Sequence, residues 1–155
     1  MDVKKIKVLV LATLVTITSL FGWSIVGHAE NQEEQVDLSY LMTEDALVGY
    51  MELSTRGVYL VDGISIINDA GNNTVGAGGR TSAGRSCKVA VLAIVERYDD
   101  GGWERVTSMS NEKEDALSVL ASKYVKVSSG YYYRCRSIHY AGTDVGYSYT
   151  NSLRM

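Results

Sequence analysis

The stretch Ser-Cys-Lys-Val-Ala-Val-Leu-Ala-Ile-Val-Glu-Arg-Tyr at residues 86–98 decides the fold class. Successive side chains of a β-strand point to opposite sides of the sheet, so residues two apart share a face. The odd positions of this stretch form one apolar face, made of Cys87, Val89, Val91, Ala93 and Val95. Apart from Lys123, the odd positions of 116–127 repeat the pattern, with Leu117, Val119, Ala121, Val125 and Val127. This period of two predicts strands that pack one face on a core.

Further runs of β-branched and aromatic residues lie on both sides of this stretch, separated by Gly, Asn and Asp. They predict about eight strands, at 57–61, 64–68, 74–80, 86–98, 103–110, 116–127, 131–140 and 146–152. The turns between them are predicted at Asp62-Gly63, 69–72, 99–102, 128–130 and 142–144. Such regular spacing predicts an all-β fold, either an antiparallel sandwich or a closed antiparallel sheet.

Composition restricts the class of protein. The 155 residues are 46% hydrophobic and 21% charged, which is typical of a globular chain and too apolar for a disordered one. The net charge of -3 argues against nucleic acid as a partner, because phosphate binding needs clustered Lys and Arg. We expect a single β domain over 55–155.

Residues 1–29 have the features of a secretory signal peptide. Lys4, Lys5 and Lys7 precede an apolar run at 8–21, and Gly27-His28-Ala29 places small residues before a cleavage site. Cleavage between Ala29 and Glu30 predicts a secreted, extracellular protein that keeps no stable membrane insertion. The alternative is a retained anchor, since 8–26 approaches bilayer length, but Thr and Ser dilute that run.

An acidic leader is predicted at 30–54, between the signal and the β domain. From Glu30 to Glu52 there are seven acids and no base, a charge block typical of a solvated tail. We expect residues 30–37 to be disordered. Residues 38–51 are predicted to form a short helix, with Thr43 as its N-cap.

Cys87, Trp103, Tyr133 and Cys135 have a spacing that resembles the immunoglobulin-like β-sandwich. In that fold a Cys on an early strand pairs with a Cys on a late strand, beside a buried Trp, and a Tyr lies two residues before the second Cys. Both Cys lie on faces predicted to be buried, and an exported protein occupies an oxidising compartment. We therefore predict a Cys87–Cys135 disulfide inside an immunoglobulin-like sandwich.

Residues 55–153 also carry a family resemblance. Its elements are Arg56-Gly57-Val58-Tyr59-Leu60, Gly63-Ile64-Ser65-Ile66, Ala70-Gly71-Asn72, Cys87-Lys88-Val89, Glu96-Arg97, Gly102-Trp103 and Gly130-Tyr131-Tyr132-Tyr133-Arg134, followed by His139. The chain resembles a family of small secreted proteins of Gram-positive bacteria, mostly clostridia and their relatives, that is defined only by a domain of unknown function. The resemblance implies an exported β-rich protein and supplies no catalytic residue.

The sequence offers little for catalysis, so we expect no enzyme. A Ser/His/Asp arrangement in the mature chain has only His139 to use, on a strand face predicted to be inward. Zinc is excluded on ligand count, because one His and two Cys lie on distant strands. Asp99-Asp100-Gly101-Gly102 lacks the alternate carboxylates of a calcium loop, and Gly76-Ala77-Gly78-Gly79 lacks the Lys-Ser/Thr of a phosphate loop. No metal and no cofactor are therefore predicted.

Tyrosine is the abundant aromatic residue, with eleven in the chain. Tyr supplies flat, amphipathic contact area at low entropic cost, which favours a binding module for a cell-surface glycan, wall polymer or protein. With Cys135 facing inward, the candidate binding face is the row Tyr132, Arg134, Arg136 and Tyr140, widened by Tyr147 and Tyr149 on the next strand. Two alternatives remain: a structural domain whose Tyr replaces Phe, and an antibacterial or host-directed effector. The sequence does not indicate an oligomeric state.

The first testable prediction is the processing site. Secreted protein should begin at Glu30, because the Lys-rich start, the apolar run and the small residues at 27 and 29 match a signal-peptidase substrate. N-terminal sequencing of protein from the culture medium measures this directly. A start before Leu20, or a full-length form bound to the cell, would contradict it.

Overall fold

The computed structural model of the chain describes residues 38–52 and 57–155. The predicted signal peptide at 1–29, its Ala29–Glu30 cleavage site and the tail at 30–37 lie outside the described residues. Within them, one short helix is followed by strands, in the order α1 (Leu38–Leu41), β1 (Leu47–Tyr50), β2 (Leu60–Asp69), β3 (Thr74–Asp99), β4 (Gly102–Lys126), β5 (Tyr132–Ala141), β6 (Asp144–Tyr149) and β7 (Leu153–Arg154). Every strand pairing is antiparallel, so the predicted all-β antiparallel fold is confirmed.

Strand β3 is long enough to form part of two layers of the fold. Its first part, 74–82, pairs with β2 on one side and with 118–126 of β4 on the other. Its second part, 89–98, pairs with β5 on one side and with 103–113 of β4 on the other. Between them the register against β4 shifts twice, and such irregularities bend a strand without ending it. The separate strands predicted at 74–80 and 86–98 are therefore one, and 103–110 and 116–127 are likewise both parts of β4.

The two layers pack their inner faces together. The first layer contains β1, β2, the first part of β3 and 118–126 of β4. The second contains the later part of β3, 103–113 of β4, β5, β6 and β7. The sheet path runs β1-β2-β3-β5-β6, and β1 returns close to β6, where Gly49 packs against the backbone of Tyr149. The buried core between the layers includes Ile67, Val75, Val89, Val91, Ala93, Val95, Val119, Ala121, Tyr133 and Cys135.

At two positions, glycine allows the backbone of one layer to contact side chains of the other. A Cβ on Gly63 of β2 would lie 2.5 Å from the ring of His139 on β5, and a Cβ on Gly79 of β3 would lie 2.5 Å from Ser137 Oγ. The turn predicted at Asp62-Gly63 is therefore wrong. Strand β2 runs through both residues, so the chain does not reverse there. The glycine instead leaves space for a side chain of the opposite layer.

The start of the described chain also differs from its prediction. Helix α1 is a single turn that ends before Thr43, whose carbonyl instead accepts a turn hydrogen bond from Ala46 N at 3.0 Å. Strand β1 then pairs with β2, with Leu47 opposite Ile67. The predicted helix at 38–51 is wrong because the edge of β2 offers this segment backbone partners that a short isolated helix lacks. Part of the predicted acidic leader thus belongs to the sheet.

The immunoglobulin-like details are mostly absent from the described residues. Trp103 is half-buried on the outer face of the second layer, outside the core between the layers. Tyr133 does resemble the tyrosine of that fold, because it is buried and its hydroxyl donates to Ser128 O at 2.8 Å and accepts from Ser128 N at 3.1 Å. This contact ties the loop before β5 to the strand itself.

The predicted Cys87–Cys135 disulfide is wrong, because both cysteines are free. Cys135 lies opposite Val95 in the β3–β5 register, eight residues along β3 from Cys87. That offset separates them by on the order of 25 Å, whereas a disulfide needs Cα atoms within about 7 Å. The buried Cys135 thiol donates to Gly78 O at 3.3 Å, and burial raises its pKa to about 11.

A thiol titration tests this arrangement. Protein denatured without reductant should give two free thiols, because the register keeps the sulfurs far apart. The Cys87→Ser variant, as control, should give one. An intact mass two hydrogens below the reduced mass, with no titratable thiol, would contradict the register of β3 and β5.

Candidate functional site

Strand β5 presents its predicted row to the outside. Its odd-numbered residues are buried between the layers, and its even-numbered ones are half-buried or exposed. Pairing with β6 places Tyr149 beside Arg136 and Tyr147 beside Ile138, whereas Tyr140 lies beside Val145. All six predicted residues therefore share one outer surface, namely Tyr132, Arg134, Arg136, Tyr140, Tyr147 and Tyr149.

A buried carboxylate organises this surface. Glu96 of β3 has only 8% of its side chain exposed, and each of its oxygens accepts a hydrogen bond from an arginine of β5. Arg134 Nε donates to Oε2 at 2.7 Å, and Arg136 Nε donates to Oε1 at 2.9 Å. These ion pairs compensate the carboxylate, since a buried charge left without any partner costs several kcal/mol.

Two aromatic rings hold one of these arginines. The Arg134 guanidinium lies 4.2 Å from the ring centroid of Trp103 on β4 and 5.4 Å from that of Tyr149 on β6. Cation–π contacts of this kind stabilise a cation, more strongly where water is partly excluded. Arg134 is therefore fixed by Glu96 at one edge and by two rings at its faces.

The remaining nitrogens of the two arginines are available. In the described part of the chain, the Nη atoms of Arg134 and Arg136 form no hydrogen bond, and none of them is among its buried unpaired atoms. The Nη groups therefore contact solvent. We call the surface made of Trp103, Tyr132, Arg134, Arg136 and Tyr149, with Glu96 beneath it, the Arg–aromatic face.

Two hollows lie next to this face. One, of about 510 Å³, continues it along β3, where small Ala90 and half-buried Leu92 lie between Ser110 of β4 and Tyr140 of β5. The other, of about 650 Å³, lies where β6 approaches β1, and its lining includes Tyr50, Tyr147 and Tyr149. Tyr149 thus contributes both to the Arg–aromatic face and to this second hollow.

Sequence reasoning missed Glu96 and Trp103, which belong to this face, and Arg154, which borders it. Arg154 of β7 pairs with Tyr132 and has its guanidinium 5.8 Å from that ring. The sequence did indicate that Glu96 has basic partners, because an acid on an otherwise apolar strand needs them. It could not indicate which arginines those are, since that depends on the β3–β5 register.

The inner face carries the histidine that the sequence singled out. Thr81 Oγ1 donates to Ala90 O at 3.0 Å, so it accepts from Nδ1–H of His139 at 2.8 Å. The other ring nitrogen, Nε2, then accepts from Ser148 Oγ at 2.8 Å. Ser65 lies 2.7 Å from both Ser148 Oγ and Ser137 Oγ. All five side chains are buried, so this chain of hydrogen bonds satisfies polar groups between the layers.

The described residues contain no group of three His, Cys, Asp or Glu side chains that could hold a metal ion. Within the same ranges, no helix is long and apolar enough to cross a membrane. Comparison of the chain with protein-family models, with curated proteins and with solved structures finds no match. The resemblance to a clostridial secreted family stays a prediction.

The buried histidine predicts how stability depends on pH. Burial lowers the pKa of His139 from 6.5 to about 4, so the unfolded chain binds the proton more tightly than the folded one. Its contribution is complete above pH 6.5 and is lost as the pH falls towards 4. Between pH 7 and pH 4.5 this amounts to about 2–3 kcal/mol.

Urea unfolding at the two pH values measures this effect. The His139→Gln variant serves as the control, because its carboxylates titrate as in the parent protein while the imidazole is absent. The parent should lose more free energy of unfolding than the variant. Equal losses would show that His139 is not buried in its neutral form.

Proposed function

We propose that the protein is an exported binding module whose ligand docks on the Arg–aromatic face. The ligand class is a cell-surface glycan, a wall polymer or a surface protein. The observation that carries the proposal is the pair Arg134 and Arg136, whose Nε atoms are tied to buried Glu96 while their Nη groups contact solvent. Bacterial export is part of the proposal and rests on the sequence features of 1–29.

Preorganisation supports binding. A free arginine loses rotamer entropy when it grips a ligand, at a cost of roughly 0.5–1.5 kcal/mol for each immobilised side chain. Here Glu96 and the rings of Trp103 and Tyr149 hold Arg134 before any ligand arrives. The Nη groups are therefore presented in a fixed orientation, which suits bidentate contact with a carboxylate or phosphate.

A binding function also agrees better with the chemistry of the fold than catalysis does. His139, the imidazole in the described part of the chain, is 0% exposed and has both ring nitrogens engaged by hydroxyls. A general base must lie within hydrogen-bond reach of a substrate proton, whereas both nitrogens of His139 already bond to hydroxyls between the layers. We therefore propose a protein without enzymatic activity.

One specific observation favours the structural alternative. Arginines lie over the rings of Trp103, Tyr132 and Tyr149, and such pairs across neighbouring strands stabilise a sheet without any ligand. In that case the Arg–aromatic face contributes to stability alone. The two functions differ in what happens to binding when the face is altered but the fold is kept.

The double variant Tyr132→Ala with Arg136→Ala tests the proposal. It should keep the β-sheet circular dichroism spectrum of the parent but lose at least about tenfold in affinity for isolated cell walls, since one lost charge-assisted hydrogen bond is worth roughly 1.5–3 kcal/mol. Co-sedimentation with washed walls measures the affinity.

A matched pair of substitutions controls for the loss of an aromatic and a basic side chain. Tyr124→Ala with Lys126→Ala removes an exposed tyrosine and an exposed base two residues apart on β4, away from the Arg–aromatic face. This control should bind walls like the parent. Undiminished binding by a well-folded Tyr132/Arg136 variant would exclude the face as the docking site.

A further inference from the structure

The Arg–aromatic face and its border are basic in a chain that is acidic as a whole. Arg105 lies opposite Glu96 on β4, and Arg154 lies opposite Tyr132 on β7, so both border the face. With Arg134 and Arg136 they make four guanidinium groups against the single carboxylate of Glu96. The face alone thus has a net charge of +1, and together with the two bordering arginines the net charge is +3, whereas that of the whole chain is -3.

Neighbouring acids offset only part of this charge, because each lies beside a base of its own group. Asp99 and Glu104 are held by Arg97, whose Nη2 lies 2.7 Å and 3.5 Å from their carboxylate oxygens. At the far end of the same layer, Glu112 and Glu114 lie about one hydrogen-bond length from Lys88 Nζ, at 3.1 Å and 3.0 Å. Each of these two bases is shared by two acids, so each group keeps a net charge of -1 beside the face.

We infer that the ligand of the Arg–aromatic face is an anionic carbohydrate, a chain of sugar rings that bear carboxylate or phosphate groups. This inference rests on the proposed function and narrows its ligand class. The acidic groups would bind the Nη atoms of Arg134 and Arg136, which are unpaired within the described residues. Arg105 and Arg154 would supply further attraction at the rim.

The aromatic groups favour sugar rings over an acidic peptide. Trp103 and Tyr149 flank Arg134, and Tyr132, Tyr147 and Tyr149 are each 44–52% exposed. An exposed ring offers a flat surface to the apolar face of a pyranose, while an adjacent guanidinium binds its acidic substituent. Alternate positions along a strand are about 7 Å apart, which lets neighbouring side chains meet successive parts of one polymer.

The hollow beside the face gives such a polymer room to continue. It follows β3 past Leu92 towards Ala90 and Tyr140, where Glu112 also lines it and is bound by Lys88 Nζ at 3.1 Å. An acidic chain of sugars that starts over Arg134 therefore finds a shallow path along the same layer as far as Leu92.

The experiment compares purified protein binding to four polymers by isothermal titration calorimetry. Polygalacturonate carries a carboxylate on each sugar ring, fully methyl-esterified polygalacturonate has the same rings without charge, poly-L-glutamate has carboxylates without rings, and phosphomannan has phosphates on rings. We expect polygalacturonate or phosphomannan to bind at least about tenfold more tightly than the esterified polymer and than poly-L-glutamate. Affinity should also fall as salt is raised. Whichever of the two anionic polysaccharides binds more tightly identifies the acidic group.

Variants at the rim test whether that binding occurs at this face. Arg105→Gln and Arg154→Gln each remove a positive charge without touching the ion pairs of Glu96, and each should weaken binding several-fold. Lys113→Gln is the matched control, because it removes an exposed positive charge elsewhere on β4 and should bind like the parent. Equal effects of all three substitutions would overturn the assignment to this face.

The outcomes separate this inference from the proposed function. If the esterified polymer binds as tightly as the anionic polysaccharides, the ligand does not need an acidic group. If poly-L-glutamate binds as tightly as they do, the ligand does not need sugar rings. Either result would overturn the inference. If walls bind through the face but none of the four polymers does, the inference fails and the proposed function stands. If the Tyr132/Arg136 variant binds walls normally, the proposed function fails.

Discussion

The constraint on which this structure depends is that one 26-residue strand, β3, belongs to both layers. Its first part is hydrogen-bonded in the first layer and its second part in the other, so the bend between them sets how the layers face each other. Side chains that point inward from both parts therefore pack in the narrow space between the layers. This space is filled by small and β-branched residues, and glycine is required at 63 and 79, where His139 and Ser137 of β5 lie against the backbone.

The same constraint separates two kinds of polar chemistry. On the inner face, hydroxyls from both layers satisfy His139 completely, and this site is closed to ligands. On the outer face, Glu96 is buried beneath Arg134 and Arg136, which leaves positive charge and aromatic surface in contact with solvent. Alternation along β3 and β5 produces both results, because consecutive residues of a strand face opposite sides.

Local pattern predicted the strand class and the faces of β5, but it could not predict where strands end or how they pair. Alternation in 86–98 and 131–140 was sufficient to assign inward and outward residues. Asp62-Gly63 resembles a turn in sequence, yet the glycine is required by a contact with β5 that is distant in the chain. Strand β3 continues through its irregular register against β4, so residues 81–85 do not separate two strands.

Register explains the remaining differences. The disulfide prediction placed Cys87 and Cys135 on buried faces, which is correct, but face assignment does not determine the position along the strand. Because the β3–β5 register was unknown, the ion pairs of Glu96 with Arg134 and Arg136 could not be predicted either. Hydrophobic pattern specifies which side of a strand is buried, whereas pairing register is specified by contacts summed over the whole sheet.

The central claim is that ligand docks on the Arg–aromatic face. The most direct measurement is an NMR titration of ¹⁵N-labelled protein with polygalacturonate oligomers, followed through the Nε–H signals of Arg134 and Arg136 and the indole N–H signal of Trp103. The account predicts that these side-chain signals shift most, while the backbone amides around buried His139 stay in place. Shifts confined to the opposite end of the fold, around Tyr40 and Tyr124, with the arginine and indole signals unchanged, would contradict it.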